Sequence, residues 1–297
     1  YWRCITRFYM FSDNESLDQA IARNVRDALY EDIGRGDWTA NLVPANQTAH
    51  ARLIVREPAV LCGTAWFDAV IQSLDSQARV NWLFSEGDWL APDRLVCEMT
   101  ANARALLSAE RPAMNFLQTL SATATTTRRY VEAIADASPN PKGCAILDTR
   151  KTIPGLRQAQ KYAVRVGHGQ NQRMALWDGI LIKENHIAAA GSITAVLAAA
   201  NQLNAGVDVQ IEVESLAELQ EALGQGAKSI LLDNFNLDQM REAVRLTNGR
   251  ALLEASGGIT QDQLRAIAAT GVDRISIGKL TKDIQAIDYS MRIDRIS

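Results

Sequence analysis

The 297-residue sequence has only three histidines, His50, His168 and His186, and four cysteines, Cys4, Cys62, Cys97 and Cys144. None of the cysteines forms a CxxC pair, and no Cys/His spacing matches a zinc site. The expected state is therefore four reduced thiols in a cytoplasmic protein. No apolar run reaches the roughly 18 residues that a membrane-spanning helix needs. The opening YWRCITRFYMF lacks the layout of a signal peptide and reads, with the next few residues, as a tail over 1–16. An excess of one charge is missing too. The 31 Lys+Arg and 34 Asp+Glu leave a net charge of −3, which gives no global basic field for nucleic acid. Any anion must then be bound by local clusters of cations. Short repeats, low-complexity segments and a recognisable Ser/His/Asp triad are absent.

What is present is ordinary for a soluble globular chain: 47% hydrophobic and 22% charged residues. The length suits two domains, or a barrel with a cap. Leu17 to Glu31 carries apolar residues at a helical period, followed by the glycine-broken loop DIGRGDWT. Short alternating segments between His50 and Met99, with one helix near Trp66–Leu74, predict a small antiparallel α+β domain. Ala103 to Ala137 reads as helix with a break near Leu120–Thr123, and Pro139–Gly143 (PNPKG) reads as a linker. These boundaries give a tail at 1–16, an N-terminal α+β domain with connecting helices at 17–138, and an α/β barrel domain at 139–297. The barrel's C-terminal end is able to pack back on the first domain.

Beyond the linker, strand and helix alternate. Strands are expected at Ala145–Leu147, Gly179–Ile182, Val209–Val213, Ser229–Leu232, Ala251–Leu253 and Arg274–Ile277. Ser215 and Thr260 suit helix N-caps, with Glu218 and Gln263 completing capping boxes. Each strand ends in a polar group: Asp148, Arg150 and Lys151; Lys183 and Glu184; Glu212 and Glu214; Asp233 and Asn234; Glu254 and Ser256; Ser276 and Gly278. On a parallel barrel such ends converge on one face. The late loops Ser256-Gly257-Gly258 and Ser276-Ile277-Gly278 are small enough to bring backbone N–H groups against a phosphate. Lys279 and Leu280 after Gly278 do not complete a Walker loop, so a nucleoside-triphosphatase is excluded.

One stretch organises the rest. It begins DTRKTIPGLRQAQKYAV and closes NQRMALWDGILIKENHI, two apolar runs opening onto cations with a helix between them. With DTRKTIPGLR, KYAV, LIKENHI, IEVES, LLDNFN and ASGGI in this order, the chain from about Asp18 onward resembles the quinolinate phosphoribosyltransferase family, the decarboxylating nicotinate-nucleotide pyrophosphorylases. The resemblance implies an irregular (β/α) barrel of about six or seven parallel strands beside an N-terminal α+β sandwich-like domain. It implies transfer of phosphoribose from phosphoribosyl pyrophosphate to quinolinate, with decarboxylation to nicotinate mononucleotide, in NAD biosynthesis. Lys151, Lys183, Glu212 and Asp233 are its catalytic candidates. Arg111, Thr149, Arg150, Arg173, Ser256, Gly257, Gly258, Ser276, Ile277 and Gly278 complete the substrate-binding set. Mg2+ is implied as cofactor, held mainly by the pyrophosphate with Glu212 and Asp233 nearby. Arg111, in a helix like the family's ER-x-A-x-N-F, is implied to reach the neighbouring subunit's site in a homodimer.

The chain departs from the family in one place. GGG-x-NHR is usual before the second strand, and here the residues are Gly167-His168-Gly169-Gln170-Asn171-Gln172-Arg173. Gln172 cannot carry the charge of a histidine, so weaker or altered carboxylate binding is expected without loss of the reaction class. His168 reads as a plain loop histidine, with spatial substitution for the missing one as the alternative. His186 reads as structural. Two other classes stay open on the residues alone. One is a Schiff-base lyase or aldolase using Lys183. The other is a non-catalytic binder of phosphorylated ligands, as in a molybdenum-transport-associated branch that resembles this family.

Overall fold

The computed structural model describes residues 15–296, so most of the expected tail, Cys4 included, lies outside it. The first helix, α1 (Leu17–Ile33), starts at Ser16. Ser16 Oγ accepts from the Gln19 backbone N–H at 3.2 Å, and Gln19 Oε1 accepts from the Ser16 N–H at 2.8 Å. This reciprocal box satisfies two orphan donors at once. The strands and helices that follow are β1 (Thr48–Val55), β2 (Ala59–Val60), α2 (Thr64–Leu74), β3 (Arg79–Trp82), β4 (Trp89–Leu90), β5 (Arg94–Asn102) and the long α3 (Ala103–Ala133). In β1 every second residue, Ala49, Ala51, Leu53 and Val55, is buried. This is the alternation of a strand with one wet face.

No break interrupts α3, contrary to the expectation at Leu120–Thr123. Its hydroxyls have partners that keep the helix whole. Thr123 and Thr127 donate back to the Thr119 and Thr123 carbonyls. Ser121 Oγ accepts from Cys62 N at 3.1 Å and Thr125 Oγ1 from Val60 N at 2.8 Å. The small polar run is thus a docking stripe for the chain at β2, and the close approach it allows buries Leu117, Leu120 and Ala124 against Trp66 and Phe67 in one core.

The second half contributes β6 (Ala145–Leu147), α4 (Arg157–Val166), β7 (Gly179–Ile182), α5 (Glu184–Ala190), α6 (Ile193–Gln202), β8 (Asp208–Val213), α7 (Leu216–Gly224), β9 (Ser229–Asp233), α8 (Leu237–Thr247), β10 (Leu252–Ser256), α9 (Leu264–Ala268), β11 (Arg274–Ser276), α10 (Lys279–Lys282) and β12 (Tyr289–Ile296). Six strands form a parallel sheet in the order β6-β11-β10-β9-β8-β7, the incomplete barrel that the resemblance implies. The strand expected at Ala251–Leu253 runs on through Glu254 to Ser256 because β9 pairs with it residue for residue. A separate antiparallel sheet has the order β12-β1-β5-β3, so the last strand returns to the first sheet.

Among the described residues no ladder joins β6 to β7. The seam is closed by a short backbone bridge and by side chains. Gln170 bridges Leu147 in parallel, and the fully buried Asp148 carboxylate meets Lys161 Nζ from α4. The same carboxylate accepts from Asn171 Nδ2 at 2.5 Å and from Gln172 N at 2.9 Å, while Lys161 Nζ also donates to Gln172 O at 2.8 Å. Burial pushes the Asp148 carboxyl up and the Lys161 ammonium down, against their mutual attraction. Such a pair holds only where hydrogen bonds satisfy it from several sides.

Candidate active site

Strand register gathers the polar ends into one rim. Ile182 lies opposite Ile211, Val213 opposite Leu232, Asp233 opposite Ser256, Ala255 opposite Ile275 and Ser276 opposite Leu147. Lys183, Glu212, Asp233, Ser256, Ser276 and Asp148 therefore follow one another around the carboxyl ends of the strands, where barrel sites are built. Lys183 Nζ meets Glu212 Oε2 at 2.9 Å, with the lysine side chain 45% exposed and the glutamate nearly buried. Glu214, two residues on, lines the same cavity of about 190 Å3 as Glu212. It is exposed, and its backbone N–H is capped by Glu218 Oε2 at 2.7 Å. The box expected at Ser215 thus reaches one residue further back, although Ser215 Oγ still accepts from Glu218 N at 3.2 Å. At Thr260 the Gln263 Oε1 takes both the backbone N–H and the hydroxyl, each at 3.0 Å.

The late loops have the shape of a cradle. Asn234 sits at φ 57°, donates its side-chain amide to Asp233 Oδ2 at 2.8 Å and its backbone N–H to Ser256 O at 3.1 Å. A Cβ on Gly257 would lie 2.2 Å from Asn234 Oδ1, so only glycine fits beside that amide. At Gly278 a Cβ would come within 3.1 Å of Lys151 Cδ and 3.7 Å of Thr149 Oγ1. The last small-residue loop therefore lies directly against the first cationic loop.

That cationic loop is held from many directions. Thr149 Oγ1 accepts from Lys151 N at 3.0 Å, and Thr281 Oγ1 donates to Lys151 O at 2.8 Å. Arg157 donates to Thr152 Oγ1 and to Arg150 O, and Gln160 accepts from Ile153 N at 2.8 Å while donating to Thr281 O at 2.8 Å. From the other half of the chain, Arg23 and Asn24 on α1 both donate to Gly155 O. Sequence reasoning did not single out Arg23, Asn24, Arg157, Gln160 or Thr281 for the site. Arg157 alone carried a signal, since it closes the DTRKTIPGLR motif.

Other candidates lie elsewhere or differently. Arg173 Nη1 donates to Gly179 O at 2.9 Å. Burial pushes its guanidinium below its usual value, and the neighbouring Arg150 charge adds to this. Arg150 Nε is buried without a partner. A cavity of about 650 Å3 lies toward the amino ends of the strands and is lined by residues that include Gln172, Arg173, Asp178, Gln210 and Arg274. It does not include Lys183, Glu212 or Asp233. Arg111 is exposed on α3 with Glu110 at 3.5 Å as its ion-pair partner among the described residues, and no contact links it to the rim. His168, at φ 69°, meets Arg128 Nη2 at 2.9 Å and is engaged away from Gln172, so it does not stand in for a carboxylate-binding histidine. His186 Nδ1 accepts from Lys183 N at 3.0 Å and caps α5.

The family model for the quinolinate phosphoribosyl transferase C-terminal domain matches residues 123–292, and that for its N-terminal domain matches residues 37–121. The chain belongs to the quinolinate phosphoribosyltransferase family. A probable nicotinate-nucleotide pyrophosphorylase [carboxylating] of Bacillus subtilis is 40% identical over 265 residues, 89% of this chain and 90% of the relative. The Mycobacterium leprae nicotinate-nucleotide pyrophosphorylase [carboxylating] is 37% identical over 95% of this chain and 99% of its own length. The structure of the nicotinate-nucleotide pyrophosphorylase from Francisella tularensis superposes with a TM-score of 0.89 at 42% identity, covering 95% of this chain and 98% of that one. Names of other relatives in the family mark chloroplastic and mitochondrial forms. Family membership is compatible with assistance by a divalent metal, and no group of three or more His, Cys, Asp or Glu side chains forms a ready-made metal cluster among the described residues.

Proposed function

We propose that this chain is a decarboxylating quinolinate phosphoribosyltransferase, acting at the carboxyl ends of the barrel strands. The observation that carries the reading is the rim itself. What supports it is the succession, along the carboxyl ends of the strands, of a Lys183–Glu212 pair, a second carboxylate at Asp233, the loops around Gly257 and Gly278, and Lys151 beside Gly278. In this reading the two late loops take the 5-phosphate of phosphoribosyl pyrophosphate, and Lys151 and Lys183 absorb charge as pyrophosphate leaves. Glu212 and Asp233 stabilise the positive character that develops at the ribose C1. The quinolinate nitrogen attacks C1 with its own lone pair, so no general base is required. The C1–nitrogen bond forms as the C1–oxygen bond to pyrophosphate breaks. The ring nitrogen is then cationic and stabilises the electron pair left on C2 when the bond to the 2-carboxylate breaks and CO2 departs. A proton from solvent takes up that pair to give nicotinate mononucleotide. Arg150 and, beside it, Arg173 are assigned to the dicarboxylate, with Arg173 reaching it from a cavity whose lining leaves out Lys183, Glu212 and Asp233.

The two carboxylates Glu212 and Asp233 are hard oxygen donors too few to enclose an ion alone, which fits Mg2+ shared with phosphate oxygens and water. When bound, it would supply charge neutralisation on the leaving pyrophosphate. Lys183 is ion-paired with Glu212, which favours this reading over an amine free for a carbonyl adduct. The proposal includes a cytoplasmic location, a division of the chain near residue 138 and a homodimer in which Arg111 serves the neighbouring site. Mixing Arg111→Ala with Lys183→Ala subunits should then restore part of the activity that each variant lacks. No recovery in verified heterodimers would mean two self-contained sites. Offering the pyridine-dicarboxylate isomers in turn, with phosphoribosyl pyrophosphate and Mg2+, tests substrate and reaction together. Turnover is expected for the 2,3-isomer alone. Equal turnover of isomers without adjacent carboxylates, or binding with no turnover of any, would overturn the assignment.

A further inference from the structure

Gln172 stands where the resemblance places a histidine, and its amide is not turned to the rim. Its Oε1 accepts from the Arg173 backbone N–H at 2.6 Å, which leaves Nε2 to donate to Gln210 Oε1 on β8, also at 2.6 Å. Gln210 Nε2 in turn donates to Glu254 Oε2 on β10 at 2.9 Å. The polarity runs one way. Each amide has its oxygen accepting and its nitrogen donating, and a flip of either would set two like atoms against each other. The chain crosses the barrel interior from the open seam to β10, with Gln210 and Glu254 buried. At its start the Gln172 backbone N–H is tied to Asp148 Oδ1 at 2.9 Å.

What this chain restrains is the backbone of Arg173, whose guanidinium is held near that of Arg150. The two like charges repel each other, and the weaker attraction of Asp178 for Arg173 does not outweigh that repulsion, so their closeness has to be imposed by a scaffold. The other restraints on Arg173 are its Nη1 bond to Gly179 O and the absence of a side chain at Gly179, where a Cβ would approach Arg173 Cβ to 3.3 Å.

We propose that Gln172, Gln210 and Glu254 act as one positioning chain that sets Arg173 for the quinolinate carboxylates, replacing a charged residue at position 172 with a neutral strut across the barrel. This rests on the functional reading above. It makes Gln210 and Glu254, which touch no substrate in that reading, determinants of affinity for the dicarboxylate and not of the chemical step.

The test is a cycle of Gln172→Leu, Gln210→Leu and the double variant, with KM for each substrate, kcat, calorimetric binding of quinolinate and urea unfolding measured throughout. Gln210→Leu is expected to raise KM and Kd for quinolinate roughly fivefold, while kcat and the KM for phosphoribosyl pyrophosphate stay within about twofold. The double variant should be no worse than Gln172→Leu, because groups acting as one unit are not additive. Gln210→Met serves if the leucine variant does not fold. A loss that falls equally on both substrates and tracks stability, or fully additive effects, would overturn the chain while leaving the assigned reaction intact. A wild-type protein that neither binds nor turns over quinolinate would overturn both.

Discussion

Asp68 shows how a single buried carboxylate in the antiparallel half sets a pH response. Its carboxyl is pushed up to about 6, first by burial, then against the Trp82 indole bond that favours the charged form, with Glu86 adding repulsion. The Trp82 Nε1–H reaches Asp68 Oδ1 at 3.0 Å. A carboxyl whose folded value is raised binds its proton more tightly in the folded state. Its full contribution to stability is present below the unfolded value near 3.8 and is lost as pH rises through about 6. Asp68→Asn should therefore gain stability relative to the native protein at pH 7 and not at pH 4. Thermal unfolding at the two pH values checks this, and an equal shift at both would contradict it. At this scale the sequence is informative about residue type and poor on direction. Lys183, Glu212 and Asp233 were legible because they end apolar runs. Nothing in the letters around Gln172 shows that its amide turns inward to Gln210, since that depends on a residue 38 positions away.

At the scale of elements, α3 is the part that pattern reading mistook. A run of Ser and Thr lowers helix propensity because the hydroxyls compete for backbone groups, and Leu120–Thr123 accordingly reads as a break. In the structure the competition is settled by tertiary partners. Ser121 Oγ accepts from Cys62 N and contacts Tyr289 Oη at 3.0 Å, so one hydroxyl ties α3 to the segment before α2 and to β12. Ser121→Ala should cost about 1–3 kcal/mol, the usual range when a buried polar group loses its partner. Urea unfolding measures it, and a change within error would show that the hydroxyl is dispensable. The strands of the parallel sheet were legible to within a residue or two, except at β10, because near-continuous apolar runs with polar ends admit few other readings.

For the whole molecule, the decisive feature is the seam. The sequence gives six parallel strands and leaves unsaid what closes the gap between the first and the second in chain order. Asp148 reads naturally as one more member of the polar rim, yet it is fully buried and spends its oxygens on Lys161, Asn171 and Gln172. Lys161→Met should destabilise the protein by about 3–5 kcal/mol, because it strands a buried carboxylate. Combining it with Asp148→Asn should recover part of the loss. A single variant as stable as the native protein would mean that the seam is held by backbone and apolar packing. Long-range organisation of this kind was not legible because the two partners belong to different elements, a strand end and the helix after it.

The central claim is that the rim at the strand ends performs ribosyl transfer and decarboxylation in one site. The most direct measurement follows labelled carbon dioxide from quinolinate labelled in its 2-carboxylate, with and without phosphoribosyl pyrophosphate, alongside released pyrophosphate. The account predicts CO2 and pyrophosphate in equal amounts, both dependent on phosphoribosyl pyrophosphate and both lost in Lys183→Ala. Carbon dioxide released without the sugar donor, or pyrophosphate released without carbon dioxide, would contradict it.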